Sequence, residues 1–158
     1  MLHLTKRVDY AIIALTHMAL HREVRFSARE LAESYELSQG LLANVLKALA
    51  RGDLVDSVRG TKGGYQLAQD PRTVPVGRVV ELLEGPLRIA DCVGRGPQDH
   101  LHCSVSKVCP VKTSVFKIHL AIRDVLYGMT LAELAEGARR PGGALPIARS
   151  VPEPCSLD

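Results

Sequence analysis

The chain has 158 residues, of which 46% are hydrophobic and 23% charged, enough for one domain with a small appendage. Its net charge of +3 permits nucleic-acid binding without arguing strongly for it. No apolar run is long enough to span a membrane, and the N-terminal segment lacks a secretory cleavage site, so we expect a cytoplasmic protein with no membrane partner. Without Trp and without a Gly-rich phosphate loop, a nucleotide-binding enzyme is disfavoured, and we expect no enzymatic activity.

The first predicted helix ends near Leu20, and Thr5 can cap its N-terminus. Apolar residues recur along this helix at helical spacing and predict its buried stripe: Val8, Ala11, Ile12, Leu15 and Ala19. Asp9 lies off this stripe, so we expect its carboxylate to be free to face a partner.

Two short helices follow with a tight connection between them. Ser27 and Glu30 have the spacing of a capping box, which predicts a helix over residues 28–35. Ser38 is predicted to cap the next helix, which carries an apolar face made of Leu42, Val45, Leu46 and Leu49. This arrangement is typical of a helix-turn-helix.

A hairpin is predicted directly after the second of these helices. Residues 54–58 and 65–68 have the pattern of short strands, and the turn between them, 59–64, contains three glycines. A hairpin in this position forms the wing of a winged helix-turn-helix. The fold class is therefore mainly α with a small β-hairpin wing, extended by the long dimerisation helix described next.

A long helix is predicted over residues 111–127, and Pro110 suits its first turn because a missing N–H costs nothing there. Apolar residues occur along it in steps of four and three, which is the spacing of a coiled-coil seam. We therefore expect a homodimer through these residues: Val111, Val115, Ile118, Ile122 and Val125.

The remaining segments complete the predicted organisation. A helix is expected over residues 76–83, and residues 91–109 predict a loop because they lack periodicity. The Pro-rich tail is predicted to be disordered, and Cys155, which lies in it, is expected to bind no metal or cofactor. The predicted segments are a DNA-binding domain at 1–71, a connecting helix and linker at 72–90, a cysteine loop at 91–109, a dimerisation helix with a short terminal helix at 110–137, and the tail at 138–158.

The second helix of the helix-turn-helix carries polar residues opposite its apolar face. Gln and Asn pair with adenine edges, whereas Lys and Arg reach guanine or phosphates. In the wing, an Arg beside glycines suits a narrow minor groove, because the backbone can approach DNA closely there. The residues predicted to bind double-stranded DNA are Ser38, Gln39, Asn44, Lys47, Arg51, Arg59, Thr61 and Lys62.

Three of the four cysteines lie in the predicted loop, separated by ten and five residues: Cys92, Cys103 and Cys109. In a reducing compartment such a group favours metal or cofactor binding over disulfides. Cys109 precedes a helix N-terminus, where the dipole favours a thiolate and the negative charge of an iron–sulfur cluster. The alternatives are a structural zinc site completed by His100 or His102, or three inert thiols.

Taken together, these motifs resemble the Rrf2 family of winged-helix regulators, in its iron–sulfur-binding branch of the IscR, NsrR and RirA type. The resemblance implies a homodimer, a palindromic operator, and a cluster, either 2Fe-2S or 4Fe-4S, that biases DNA binding. The gap between the first two cysteines is longer here than is usual in the family, which leaves the path of the loop open. The likeness covers about residues 1–137 and is carried by Leu4-Thr5-Lys6 with Asp9-Tyr10-Ala11, the wing at 54–67, Val80 with Glu84-Gly85-Pro86, and Cys92, Cys103 and Cys109-Pro110.

The resemblance also implies that the cysteine loop of one chain lies near the first helix of the other. One type of member takes its fourth ligand from a His three residues after the last Cys, where this chain has Lys112. Another type takes it from an N-terminal Asp of the partner chain, and the matching residue here is Asp9. The resemblance thus implies Asp9 as the fourth ligand, although the same carboxylate could simply pair with Lys6 or Arg7.

The sequence therefore predicts a transcription regulator, acting as a repressor, whose operator binding is controlled by an iron–sulfur cluster that senses redox state, nitric oxide or iron. Two alternatives come from other classes of protein. One is a zinc-stabilised winged-helix protein with no sensing role, and the other is a redox protein that carries a cluster.

Overall fold

The structure is a computed structural model that describes residues 4–60, 63–90, 93, 103–105 and 108–139. In these residues the chain forms six helices and one antiparallel hairpin, which confirms the predicted fold class. The elements are α1 (Lys6–Leu20), α2 (Ala28–Ser34), α3 (Gln39–Arg51), β1 (Val55–Val58), β2 (Gly64–Leu67), α4 (Val76–Glu84), α5 (Lys112–Gly128) and α6 (Leu131–Ala138).

Helix α1 buries more residues than the predicted stripe contains. That stripe is buried as expected, except that Ile12 is only half-buried, and Asp9 is exposed. The polar residues Thr16 and His17 are buried as well. The expectation for Thr5 is wrong in part: it occupies the N-cap position, but its hydroxyl donates a 2.8 Å hydrogen bond to Glu84 Oε1 at the end of α4 rather than capping α1.

The helix-turn-helix is formed by α2 and α3. Both hydrogen bonds of the predicted capping box are present, because Glu30 N–H donates to Ser27 Oγ and Ser27 N–H donates to the Glu30 carboxylate. The turn places Glu36 in the left-handed region, with φ of 53°. Ser38 begins α3, but the expected side-chain cap is absent; its N–H donates instead to the Tyr10 hydroxyl at 3.3 Å.

The wing is the hairpin β1–β2, in which Val55 is opposite Leu67 and Val58 is opposite Gly64. A residue before α2 extends this sheet, since Phe26 and Tyr65 exchange two backbone hydrogen bonds of 2.9 and 2.8 Å. Packing explains why the turn needs glycine: a Cβ on residue 63 would overlap the Val58 carbonyl oxygen. The wing is therefore joined to the segment that enters the helix-turn-helix.

One hydrophobic core joins the helix-turn-helix to α4 and α6. The apolar face of α3 is fully buried in it, together with Val74 and Val79 around α4 and Leu131 on α6. After α5 the chain returns to this core, where Leu131 N–H donates to the Val74 carbonyl at 3.0 Å and Val76 N–H donates to the Met129 carbonyl at 2.8 Å. Thr130 and Glu133 form a capping box at the start of α6.

Helix α5 begins one residue later than expected, because Val111 is its N-cap and Pro110 lies before the first turn. Its C-terminal end is held by Tyr127, which packs against Gly77 of α4 and hydrogen-bonds to Glu81. In the described part of the chain, no helix is both long enough and apolar enough to cross a membrane. The predicted disorder beyond residue 139 concerns residues outside the described ranges.

Candidate DNA-binding surface and cysteine site

The face of α3 opposite its apolar stripe is polar and exposed. Asn44, Lys47 and Arg51 recur in steps of three and four, which places them on one ridge, and Ser38 and Gln39 are exposed at the start of the helix. None of these five side chains has a hydrogen bond or ion pair with another described residue. The ridge therefore carries unpaired donors and acceptors of the kinds that bind base edges and phosphates.

The C-terminal end of α3 is fixed by polar contacts that the sequence did not predict. Gln69 Nε2 donates to the Asp53 carbonyl at 2.6 Å, and Arg78 of α4 donates to Gln69 Oε1 at 2.8 Å. Arg78 also reaches the Gly52 carbonyl at 3.4 Å, at the end of α3. These bonds hold α3, the start of β1 and α4 in one arrangement, which a surface meant to fit a rigid duplex requires.

One of the predicted DNA-binding residues of the wing, Arg59, belongs to the described part of the chain. Arg59 directly follows β1 and is exposed, with no ion pair to any described residue. The next residue, Gly60, has φ of 120°, a backbone conformation that other residues rarely adopt. Thr61 and Lys62 lie outside the described residues, so their predicted roles stay predictions.

A buried histidine lies beneath this surface. His17 is only 5% exposed, its Nδ1 lies 2.7 Å from the Tyr35 hydroxyl, and its ring meets that of Phe26 edge-on at 4.5 Å. Burial, and secondarily the charge of His21, lower the pKa of His17 from 6.5 to about 4, so the ring is neutral near pH 7. Burial raises the pKa of Tyr35. The only sequence signal for this cluster was a histidine in the mainly apolar C-terminal half of α1.

The cysteine site is described only in part. Cys103 and Cys109 are free thiols and half-buried, and neither belongs to a helix or strand. Cys92, His100, His102 and Cys155 lie outside the described residues. Among the residues that are described, no three His, Cys, Asp or Glu side chains come together as a metal site. Because Cys92 lies outside the described residues and Asp9 is expected from a partner chain, the predicted set of Cys92, Cys103, Cys109 and Asp9 stays a prediction.

Asp9 lies in the first turn of α1, where its carboxylate is exposed. It forms no ion pair with Lys6 or Arg7, which was the alternative explanation for an acidic residue in this place. One turn earlier, Thr5 bonds to Glu84, so the start of α1 lies beside the end of α4, a few residues before the cysteine segment begins. The carboxylate is accessible to a second molecule.

The predicted dimerisation seam divides into two faces in the structure. Val111 and Ile118 are each 54% exposed and Val125 is 67% exposed, at intervals of seven residues. Val115 and Ile122 are half-buried on the adjacent face, which also carries the buried His119. Because α5 turns about 100° per residue, the three exposed residues form one stripe along it. This exposed apolar stripe is unusual for a helix that faces only water.

Comparison with known proteins places these features in a family. The Rrf2 family profile, described as "Iron-dependent Transcriptional regulator", matches residues 4–137. The HTH-type transcriptional regulator NsrR of Oceanobacillus iheyensis is 31% identical over 134 residues, which cover 84% of this chain and 89% of that protein. NsrR of Bacillus subtilis is also 31% identical, over 84% of this chain and 90% of its own length.

Solved structures agree with the sequence comparison. CymR (YrzC), the global cysteine regulator of B. subtilis, superimposes with a TM-score of 0.69 at 26% identity, over 87% of this chain and 98% of that one. IscR of T. potens superimposes with a TM-score of 0.66 at 31% identity, over 87% and 89% of the two chains. The winged helix-turn-helix and the extent of these matches lead to one assignment: the chain belongs to the Rrf2 family of winged-helix transcriptional regulators.

Proposed function

We propose that the chain represses transcription by binding a palindromic DNA operator as a homodimer. The observation that carries this proposal is the exposed, unpaired polar ridge of α3 beside the exposed Arg59 of the wing. A helix with such a ridge fits the major groove, and a wing Arg fits the adjacent minor groove. Two copies related by a twofold axis would read two half-sites of a palindrome.

Within this surface the residues take different roles. Asn44 lies near the middle of α3 and would bond a base edge, whereas Lys47 and Arg51 would neutralise phosphates or reach guanine. Ser38 and Gln39 would approach DNA at the N-terminal end of α3, where backbone N–H groups also point outward. Arg59, together with the wing residues Thr61 and Lys62, would lie along the minor groove.

We propose further that an iron–sulfur cluster, 2Fe-2S or 4Fe-4S, controls this binding. Cys103 and Cys109 are free, half-buried thiols outside regular structure, which suits thiolates that wrap a cofactor. Cys92 would be the third ligand, and Asp9 of the partner subunit would be the fourth. The exposure of the Asp9 carboxylate supports this role. When bound, the cluster would supply iron that reacts with oxidants or nitric oxide. The family description as iron-dependent supports this part of the proposal.

The signals proposed to act on the cluster are redox state, nitric oxide and iron. A structural relative of this chain is a cysteine regulator, so membership of the family does not by itself identify what is sensed. A zinc-stabilised regulator and a redox protein that carries a cluster are the competing functions. The iron and acid-labile sulfide contents of anaerobically purified protein distinguish a zinc-stabilised regulator from a protein that binds a cluster. Operator binding distinguishes a regulator from a redox protein.

Operator binding is tested with a duplex that the wild-type protein selects from a random library, compared with an unrelated duplex of equal length. Asn44→Ala is expected to reduce the preference between the two by roughly five- to 150-fold, because a base contact is lost. Arg72→Ala is the control, since Arg72 is an exposed Arg in the turn before α4, away from the ridge. Equal preference in wild type and Asn44→Ala would contradict the assignment of α3.

Cluster binding is tested with single Ala variants purified without oxygen. Removing any of Cys92, Cys103 or Cys109 is expected to abolish the visible absorption, because one open iron site makes the cluster labile, whereas Cys155→Ala retains it. Asp9→Ala is expected to keep the colour but change the electron-paramagnetic spectrum, since a carboxylate is a harder donor than a thiolate. Full iron content in Cys103→Ala or Cys109→Ala would remove that residue from the site.

A further inference from the structure

The buried ring of His17 contacts two residues that lead to the two parts of the proposed DNA-binding surface: Tyr35, before the turn into α3, and Phe26, which is paired with the wing. On one side its Nδ1 lies 2.7 Å from the hydroxyl of Tyr35. Tyr35 ends α2 and immediately precedes Glu36, the left-handed residue that turns the chain toward α3. Fixing the Tyr35 side chain therefore restrains the turn from which the recognition helix starts.

On its other side the same ring supports the wing. It packs edge-on against Phe26 with the ring centroids 4.5 Å apart. Phe26 is bonded to Tyr65 of β2 through both of its backbone polar groups, so it moves with the sheet. Gln66 of β2 also donates to the Arg22 carbonyl, which ties a second residue of this strand to the segment between α1 and α2.

Hydrogen bonding explains why a polar residue is placed here. A leucine would fill a similar volume in α1 without any polar atom to satisfy, whereas the imidazole supplies a nitrogen that faces the Tyr35 hydroxyl. The ring is neutral near pH 7, so one nitrogen can accept the Tyr35 O–H without the penalty of a buried charge. A directional bond of this kind fixes a position more narrowly than apolar contact does.

We propose that His17 is a positioning residue that sets the placement of the wing relative to the recognition helix, through Tyr35 on one side and Phe26 on the other. Because the ring is buried, it does not touch DNA itself. Both parts must fit the duplex at the same time, and supporting residues have to hold such a pair of elements within about 0.5 Å. This inference rests on the proposed operator binding.

The test is a double-mutant cycle on binding to the selected duplex, measured by fluorescence anisotropy. The variants are His17→Leu, Arg59→Ala and the two combined. In wild-type protein, Arg59→Ala is expected to weaken binding roughly fivefold or more, because one wing contact is lost. In the His17→Leu protein it is expected to weaken binding less than about twofold, because the wing no longer meets the minor groove correctly.

A control separates positioning from general stability. Val79→Ala truncates a fully buried residue of α4, a helix that contains none of His17, Tyr35 and Phe26, and lowers the free energy of unfolding. In that background Arg59→Ala is expected to keep its full effect. If Arg59→Ala costs the same fold-change in the His17→Leu protein as in wild type, His17 is a core residue only and the inference is overturned.

Tyr35→Phe covers the case in which His17→Leu fails to fold. It removes only the hydroxyl and retains the imidazole and the ring contact with Phe26. The same loss of the Arg59 effect is expected, and an unchanged Arg59 effect would overturn the inference. If wild-type protein binds no duplex, or binds every duplex alike, the proposed operator binding fails, and the inference that depends on it falls as well.

Discussion

Replacing Ile118 by Asp is expected to separate the homodimer that we propose for α5. Ile118 is 54% exposed in the single chain, and full burial of an Ile side chain contributes about 1.5–3 kcal/mol. About half of that remains to be gained in a dimer, so the loss is about 1 kcal/mol for each protomer and about 2 kcal/mol for the pair. This alone raises the dimer dissociation constant about thirtyfold. The two carboxylates, which would be removed from water or brought close together, add to the effect.

Sedimentation velocity over a concentration series measures this shift directly. Thr113→Asp is the matched control, because it introduces the same charge on an exposed residue about 140° away around the helix. Its dimer is expected to be as stable as that of wild type. Ile118→Asp should also bind the palindromic duplex more weakly than Thr113→Asp does, since monomers engage one half-site at a time. An Ile118→Asp dimer as stable as the wild-type dimer, or equal dissociation of both variants, would refute a seam at Val111, Ile118 and Val125.

The wing turn and the buried histidine give two further expectations. Gly63→Ala should weaken operator binding several-fold while leaving the helical core folded, because its Cβ would overlap the Val58 carbonyl and distort the wing. Gly137→Ala is the control: a Cβ there meets open space, so binding in the same anisotropy assay should be unchanged. Acid should destabilise the protein through His17: its folded pKa of about 4 lies below the unfolded value of 6.5, so this stability is fully present above pH 6.5 and is lost as the pH falls toward 4. Urea unfolding at pH 7 and pH 5 should show a loss of about 2 kcal/mol that is absent in His17→Leu, and an identical loss in that variant would assign the effect to other groups.

Local patterns in the sequence predicted most of the fold because they depend on neighbours along the chain. The capping boxes at Ser27 and Thr130 are formed, since both partners lie within one helical turn. Thr5 failed as a side-chain cap for the opposite reason, because its hydroxyl finds Glu84, 79 residues away, so a tertiary partner decided what the local pattern could not. The Ser38 side chain makes no cap either, and no contact of its hydroxyl in the described residues explains this.

The periodicity of the sequence predicted which residues are exposed better than it predicted which residues they contact. On α3 the ridge of Asn44, Lys47 and Arg51 is exposed as expected. On α5 a repeat of 3.5 residues combined two adjacent stripes into one, because the half-buried face and the exposed face are both apolar. His17 lies in the mainly apolar C-terminal half of α1, and only the approach of Tyr35 and Phe26 from other parts of the chain gives it a role.

The placement of the cysteines relative to α5 gives the proposed regulation a physical route. The C-terminal end of α5 is held to the core by Tyr127 against Gly77 and by the backbone bonds around Met129. Its N-terminal end is continuous with the segment that contains Cys103 and Cys109, and its N-cap residue Val111 makes no side-chain cap. In the proposed dimer, cluster binding at Cys103 and Cys109 would shift the N-terminal end of α5 relative to its held C-terminal end and so change the distance between the two recognition helices. Half-sites lie about 34 Å apart in a duplex, so a change in this distance alters operator affinity without any unfolding of the core.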